Sequence, residues 1–487
     1  VTLTPSPTPT SGSAIVVGSG PNGLAAAVRL ARAGLEVTVL EAAGTIGGGS
    51  RSSEMILPGL LHDHCSAFHP VAAISPFLAE LDLPAHGLRW LAPPVDCVHP
   101  LDDGTAGVLH RSIDRTAEGL GPDGERWRRL FAALTARLDD VFTDAAGPVL
   151  RVPRHPLAIG RFGATALVPA TALARSFRTE EAKALWAGVA AHAFQRLDRP
   201  LSSAVGLMIL LAGHARGWVV AEGGSQAIVE ALAADLGHHG GRIETGQRVR
   251  SIHDLPPHDV LMLDVAPSAA ADILGDRLPG RVARSYRRFR HGPGAFKVDF
   301  AIEGGVPWTA EEAGRAGTVH LGGDLAEVAA NELAVARGTM PDRPFVLVGQ
   351  QYLADPGRSV GDVHPLWTYA HVPHGYTGDA TEAIIAQIER FAPGFRHRIV
   401  GSAVRSTTEL SVENPNFVGG DIIGGASSPR QLVFRPRFAR DPYATGIPGT
   451  YLCSASTPPG AGAHGMCGAN AAARALAQLG VAGSSWP

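Results

Sequence analysis

The chain has 487 residues, with 42 basic against 45 acidic side chains and a formal charge of −3. That length suits two or three lobes or one large α/β domain with insertions. Hydrophobic residues at 45% and charged residues at 18% describe a globular chain with a sizeable core. The near-neutral charge argues against a nucleic-acid partner, and four cysteines without a C-x-x-C leave neither a disulfide framework nor a zinc ribbon. Of the basic residues only Lys183 and Lys297 are lysine, and neither lies in a phosphate loop of the G-x-x-x-x-G-K-[ST] type, which is excluded. Residues 1–13, rich in Thr, Pro and Ser, read as a disordered tail without the regions of a secretory signal. No window reaches the roughly 18 apolar residues that span a bilayer, so the expected location is the cytoplasm.

In chain order, Ala14–Val17 and Leu35–Leu40 read as strands. Pro21–Ala33 between them is a helix with Leu24, Ala27, Val28 and Ala31 on one face, making a β-α-β unit. Glu125–Val141 and Glu180–Phe194 have helical period, and the apolar run Ala204–Ala212 reads as a buried helix, with a substrate channel or a membrane surface as the alternative. A second α/β stretch follows, with a helix over Gln226–His239, two short strands within Arg242–Ile252 and a buried strand at Val260–Val265. Phe296–Ile302 and Phe345–Tyr352 alternate as strands, Thr450–Ser454 is a last strand, and an Ala-rich helix runs from about Met466 to Leu479. The expected division is a nucleotide-binding lobe from 14–110, 218–290 and 402–483 and a substrate lobe from 111–217 and 291–401.

The first unit carries the most specific signal. Gly18-Ser-Gly20-Pro21-Asn22-Gly23 leaves the first strand and opens the helix. The first glycine permits the turn, the second lets the backbone approach a pyrophosphate, and the third allows close helix packing, with the helix N-terminus facing the phosphate charge. Glu41 ends the second strand, where a carboxylate accepts both ribose hydroxyls and repels a 2′-phosphate. The loop Gly47-Gly48-Gly49-Ser50-Arg51-Ser52 follows at once. Its backbone N–H groups would meet a second phosphate, and Arg51 would neutralise it.

This succession resembles the E-x5-G-G-x-x-[ST] element of amine-oxidase-like and phytoene-desaturase-like flavoproteins. The segment from Tyr451 through Pro458, Gly460, Gly462, His464, Gly465, Met466, Cys467 and Gly468 resembles the terminal flavin-binding segment of the phytoene-desaturase-related family. The resemblance covers nearly the whole chain after the tail. It implies an α/β fold, with a Rossmann-type FAD-binding domain and a discontinuous α+β substrate domain. It also implies FAD as cofactor, and adds Ala42, Ser66, Ala67, Val249, Ala455 and Ser456 to the cofactor-binding residues. The final helix would point its N-terminus, at Gly465 and Met466, toward the flavin C2 carbonyl, where reduced flavin carries negative charge. Ser454, Pro458 and Ala463 depart from the pattern of the carotenoid desaturases proper, and Ser456 stands where amine oxidases carry an acid, which places the chain in the wider family.

Lys297 lies in Ala295-Phe-Lys-Val-Asp-Phe300, whose alternation turns it away from Phe296 and Val298. The resemblance implies a lysine held near flavin N5 through a water, able to accept a proton or to lend positive charge to oxygen reduction. A solvated edge-strand lysine is the alternative. His62, His64, Cys65 and His69 crowd together just after the flavin loop. No metal is expected there, and His64, with His464, is taken as a candidate for chemistry. Cys453 and Cys467 read as buried free thiols rather than flavin anchors. No G-x-S-x-G elbow and no H-E-x-x-H occurs, so serine hydrolases and zincins lose support. The expected function is an FAD-dependent dehydrogenase or oxidase. It would take a hydride from an apolar small molecule to flavin N5, introduce a C–C double bond or an imine or carbonyl, and pass electrons to oxygen or a quinone, with peripheral membrane contact as a further partner. A redox-neutral flavin-dependent isomerase and a flavin-binding protein without turnover are the alternatives.

Overall fold

The computed structural model describes residues 12–481. Of the tail expected over 1–13, only Gly12 and Ser13 fall within it, and Ser13 already opens the first strand. Two sheets organise the rest. The first has five parallel strands in the order Thr450–Leu452, Val260–Leu263, Ser13–Val17, Glu36–Leu40 and Arg242–Glu244. A parallel sheet is covered on both faces, which is why its strands read as nearly unbroken apolar runs. Val16, Val37, Val39 and Met262 pack under the helices Pro21–Arg32, Gln226–His238 and Met466–Gln478, while Ile15, Val17, Leu261 and Leu263 pack against Pro267–Leu274 and Gly280–Arg287.

The second sheet has seven strands, in the order Ile399–Arg405, Gly294–Glu303, Val363–Val372, Val346–Gly349, Ala316–Leu321, Val95–Pro100 and Ala106–Leu109. All its pairs are antiparallel except that of Ala316–Leu321 with Val95–Pro100. On one face Phe296, Val298, Phe300 and Leu366 bury against Ile384, Ile388 and Phe391 of the helix Thr381–Phe391. The other face carries Lys297, Asp299, Trp367 and Tyr369. The fold is thus α/β, with a Rossmann-type sheet and a second, mixed lobe assembled from separated segments.

Several expectations shift. Strands Val95–Pro100 and Ala106–Leu109, assigned by sequence to the nucleotide lobe, extend the seven-stranded sheet, as does Ile399–Arg405 across the boundary expected at 402. Short apolar strands carry no mark of which sheet edge they will extend. The helix expected over Glu125–Val141 is two, Gly124–Thr135 and Leu138–Ala145, broken where Arg137 leaves helical angles (φ −120°, ψ 23°). The break lets Phe131, Leu134, Leu138 and Val141 all reach one core. The helix from Glu180 stops at Ala191, and Phe194 instead turns to positive φ (48°) and stacks on His371, 3.8 Å between ring centroids. Only Arg242–Glu244 forms a strand within 242–252, because Gly246 turns the chain and Gln247–Arg250 then line a cavity. The Ala204–Ala212 run lies in the helix Ser203–Arg216, with Leu207, Leu210 and Leu211 buried in the second lobe's core, as the buried-helix reading expects.

Candidate functional site

A cavity of about 580 Å³ opens where the parallel strands Ser13–Val17, Glu36–Leu40 and Val260–Leu263 end. Open α/β sheets bind ligands at the carboxyl ends of their strands, and cofactor sites run to about 300–1,000 Å³. Its wall brings together the turn residues Gly18, Gly20, Pro21 and Asn22, the acid Glu41 with Ala42, the loop Gly48–Arg51, and Ser66, Val249, Ala455 and Ser456. Gly23, Ala67, Gly465 and Met466 stand behind the wall. Gly23 closes the turn on itself: a Cβ there would lie 2.1 Å from the Gly18 carbonyl oxygen. Ala67 is buried in the second lobe's core. The loop before the final helix meets the cavity through Ala461–Ala463, and the helix, which starts at Met466, stands behind it. This helix packs backbone to backbone on the first helix, since a Cβ on Gly468 would lie 1.7 Å from the Asn22 carbonyl oxygen.

The Glu41 carboxylate is buried and already held. Oε2 accepts from the Ser19 N–H (2.9 Å) and hydroxyl (2.6 Å), and Oε1 accepts from the Ala43 N–H (2.8 Å) and from Arg51 (3.5 Å). Arg51, expected at the second phosphate, also donates to the carbonyls of Thr45 and Glu413, which leaves its Nε without a protein partner. Asn22 Oδ1 and Ser454 Oγ are likewise buried and unpaired in the wall of the same cavity. Such atoms cost free energy until a ligand or water satisfies them. A glycine cradle, a ribose-side acid and three unpaired polar atoms in one cavity fit an adenine dinucleotide.

Asp264 is a wall residue that the sequence reading missed. Its Oδ2 accepts from the Gly23 N–H (2.9 Å) and lies 2.9 Å from where a Cβ on Gly20 would sit. Burial pushes its carboxyl up to about 7, against the lowering by the Gly23 N–H, and the Glu41 charge adds to the rise. The available signal was position: an acid directly after a buried parallel strand, at the end where ligands bind.

Lys297 is buried on the second strand in from the sheet edge, so the solvated edge-strand reading is excluded. Its amine pairs with Asp299, which also accepts from Arg405 (3.0 Å), and Trp367 lies 5.5 Å from Nζ. Burial lowers the amine to about 8; Asp299 opposes this and Arg405 adds to it. Lys297 is not itself in the cavity wall, but Trp367 beside it donates to the carbonyl of Cys65 (3.1 Å), which is. His62 sits 4.0 Å from Asp299, is held neutral to about pH 4 chiefly by burial, and has neither ring nitrogen hydrogen-bonded. Asp299 and Arg405 were also missed, although Asp299 is two residues from Lys297 and so shares its face of the strand.

The remaining candidates serve the framework. His464 accepts the Met466 N–H at Nδ1 (3.0 Å) and donates from Nε2 to Ala461 O (3.2 Å), and burial keeps it neutral to about pH 4. With both nitrogens engaged it shapes the loop before the last helix, and the catalytic role expected of it has no free atom to act through. His64 bonds Ser53 (2.7 Å) and approaches Glu413 (3.8 Å), outside the cavity wall. His69 bonds Ser225 and Ser66. Asp63 accepts from Ser52, Ser225 and Arg358, and although burial acts to raise it, these partners hold its carboxyl down at about 2. Cys453 and Cys467 are buried behind the wall.

A family described as flavin containing amine oxidoreductase matches residues 22–272. The chain is similar to a rat protein named pyridine nucleotide-disulfide oxidoreductase domain-containing protein 2, 24% identical over 94% of this chain and 92% of that one. It is also similar to hydroxyneurosporene desaturase of Cereibacter sphaeroides, 31% identical over 49% of this chain and 50% of that one. Among solved structures, a putrescine oxidase variant superposes with a TM-score of 0.60 at 17% identity, covering 96% of this chain and 99% of the other. The likeness in fold extends over both lobes, and the family match takes in the glycine turn's helix, Glu41, the second glycine loop and Asp264. The protein therefore belongs to the flavin-containing amine oxidoreductase family and is an FAD-dependent oxidoreductase.

Proposed function

We propose that the protein dehydrogenates an apolar small molecule, forming a C–C double bond or an imine or carbonyl, and that oxygen or a quinone takes the electron pair. Bound FAD would supply the two-electron acceptor for a hydride, and a side chain of the protein would take up the proton lost from the adjacent substrate atom. Gly18, Gly20, Glu41, Arg51 and Asp264 would hold the dinucleotide, and Val412, Phe417 and Ile422 add apolar surface to the cavity. The observation that carries the reading is Lys297. A buried amine that titrates near 8, one residue behind the wall at Cys65, is matched to taking up a proton through a water at working pH. Asp299 and Arg405 position it. The interleaved two-lobe division is part of the same reading, with the nucleotide lobe holding the cofactor and the seven-stranded sheet presenting Lys297 toward it.

Anaerobic mixing of the purified yellow protein with apolar amines and alkenes tests this. The expected result is bleaching of the flavin and a product two hydrogens lighter. A product of unchanged mass would establish the isomerase instead, and no spectral response to any of them would favour a flavin-binding protein without turnover.

A further inference from the structure

We propose that the protein docks on an anionic lipid bilayer through one basic, apolar patch built from residues 148–167 and 430–440. Five of the eleven exposed large apolar side chains among the described residues lie within twenty positions of one another: Val149 (57% exposed), Leu150 (40%), Val152 (89%), Leu157 (89%) and Leu167 (57%). Leu157 stands in the first turn of the helix Pro156–Ala166, which buries only Phe162 and Ala166. Phe438, 68% exposed, comes from a distant part of the chain. Its ring sits 4.8 Å from Phe434, and Phe434 shares a small cleft with Pro148, Val149 and Leu150. Residues 148–150 and 434–438 therefore meet at one surface, and Val152 and Leu157 follow it directly along the chain. Scattered exposed leucines need no explanation, but a cluster of this kind marks an interaction site.

Charge names the occupant. No Asp or Glu occurs between Asp144 and Glu180, a stretch holding five arginines, and none between Asp421 and Asp441, a stretch holding four. Arg154, Arg161, Arg430 and Arg440 are exposed on these segments. The acids that flank the two stretches have partners of their own: Asp140 is engaged by Arg137 and His155, Asp144 by Arg151 and His155, and Asp441 by Arg474. Aliphatic side chains that project fully into solvent among unpaired arginines match the interface of a membrane with anionic headgroups, where the apolar tips enter the acyl boundary and the guanidinium groups meet phosphate. No helix among the described residues is long and apolar enough to cross a membrane, so the contact would be peripheral. The patch adjoins the cofactor cavity, since Arg435, between Phe434 and Arg437, donates to the carbonyl of the wall residue Ala455 (3.1 Å). The inference stands apart from the proposed reaction and is tested without turnover.

The full FAD-loaded chain would be sedimented with phosphatidylcholine vesicles, with or without about 30% phosphatidylglycerol, at low and high salt. Binding is expected to the anionic vesicles and to weaken severalfold with salt. Val152→Asp combined with Leu157→Asp should weaken it by at least about twentyfold. Arg154→Gln and Arg161→Gln should each cost about fivefold. Flavin content should be unchanged in all of them. Absence of binding to anionic vesicles would overturn the proposal, as would binding that these substitutions leave intact. So would a concentration-dependent dimer that Leu157→Asp dissolves, since a second copy would then be what covers the patch.

Discussion

Replacing Asp264 with Asn should remove one pH-dependent loss of stability that the parent shows. The carboxyl ionises near 7 in the fold and near 3.8 when free in water. Each pKa unit of difference corresponds to about 1.4 kcal/mol, so the fully ionised group costs the folded state about 4 kcal/mol. The sign follows from the raised value. The favourable contribution of the protonated acid is complete below about pH 4 and is lost as pH rises through 7. Linkage places about 2.5 kcal/mol of that loss between pH 5 and pH 8. Asn keeps an oxygen to accept the Gly23 N–H and has no charge to bury. Denaturant unfolding of flavin-free protein at half-unit pH steps would measure it, with the parent losing about 2–3 kcal/mol relative to Asp264→Asn between pH 5 and pH 8. Removing a negative charge from beside the pyrophosphate should also tighten FAD binding at pH 8 by about tenfold. Parallel stability profiles for the two proteins would refute the argument, because they would mean that Asp264 is ionised without penalty in the fold.

Further expectations follow from the same site. Gly20→Val places a side chain against Asp264 Oδ2 at the mouth of the turn, and the purified variant should be colourless; full flavin content would refute this placement of the cofactor. Lys297→Met should retain FAD while slowing flavin reduction or its reoxidation by about 10²-fold, and Lys297→Arg should also be impaired, because arginine keeps its proton. Where Lys297 takes up the proton, the rate of reduction in stopped flow should rise as pH passes through about 8, and Lys297→Met should lose that rise. NADH and NADPH at micromolar concentration should reduce the flavin poorly, since the one strand–turn–helix dinucleotide unit is given over to FAD; rapid reduction would count against the assignment.

What could be read from the sequence was local. The glycine turn, Glu41 and the second glycine loop lie within 35 residues, and each acts through backbone geometry that a short stretch dictates by itself. The strands Ser13–Val17 and Val260–Leu263 and the helices Pro21–Arg32 and Met466–Gln478 were legible for the same reason, because periodicity and composition are properties of neighbours. Alternation also placed Lys297 on the face opposite Phe296. Only the fold decided that this face is interior, by packing the segment that carries His62 and Cys65 over it. Asp264 reaches its partner Gly23 across 241 positions, and Arg405 reaches Asp299 across 106. No pattern in either segment announces the meeting. His464 looked like chemistry because it stands in a glycine-rich motif, and the loop's own closure turned both its nitrogens to Ala461 and Met466. Sequence thus determined the elements and the kind of ligand, since those depend on short-range backbone freedom. Charge pairing and burial depend on which distant segments pack together, and these the tertiary structure alone decided.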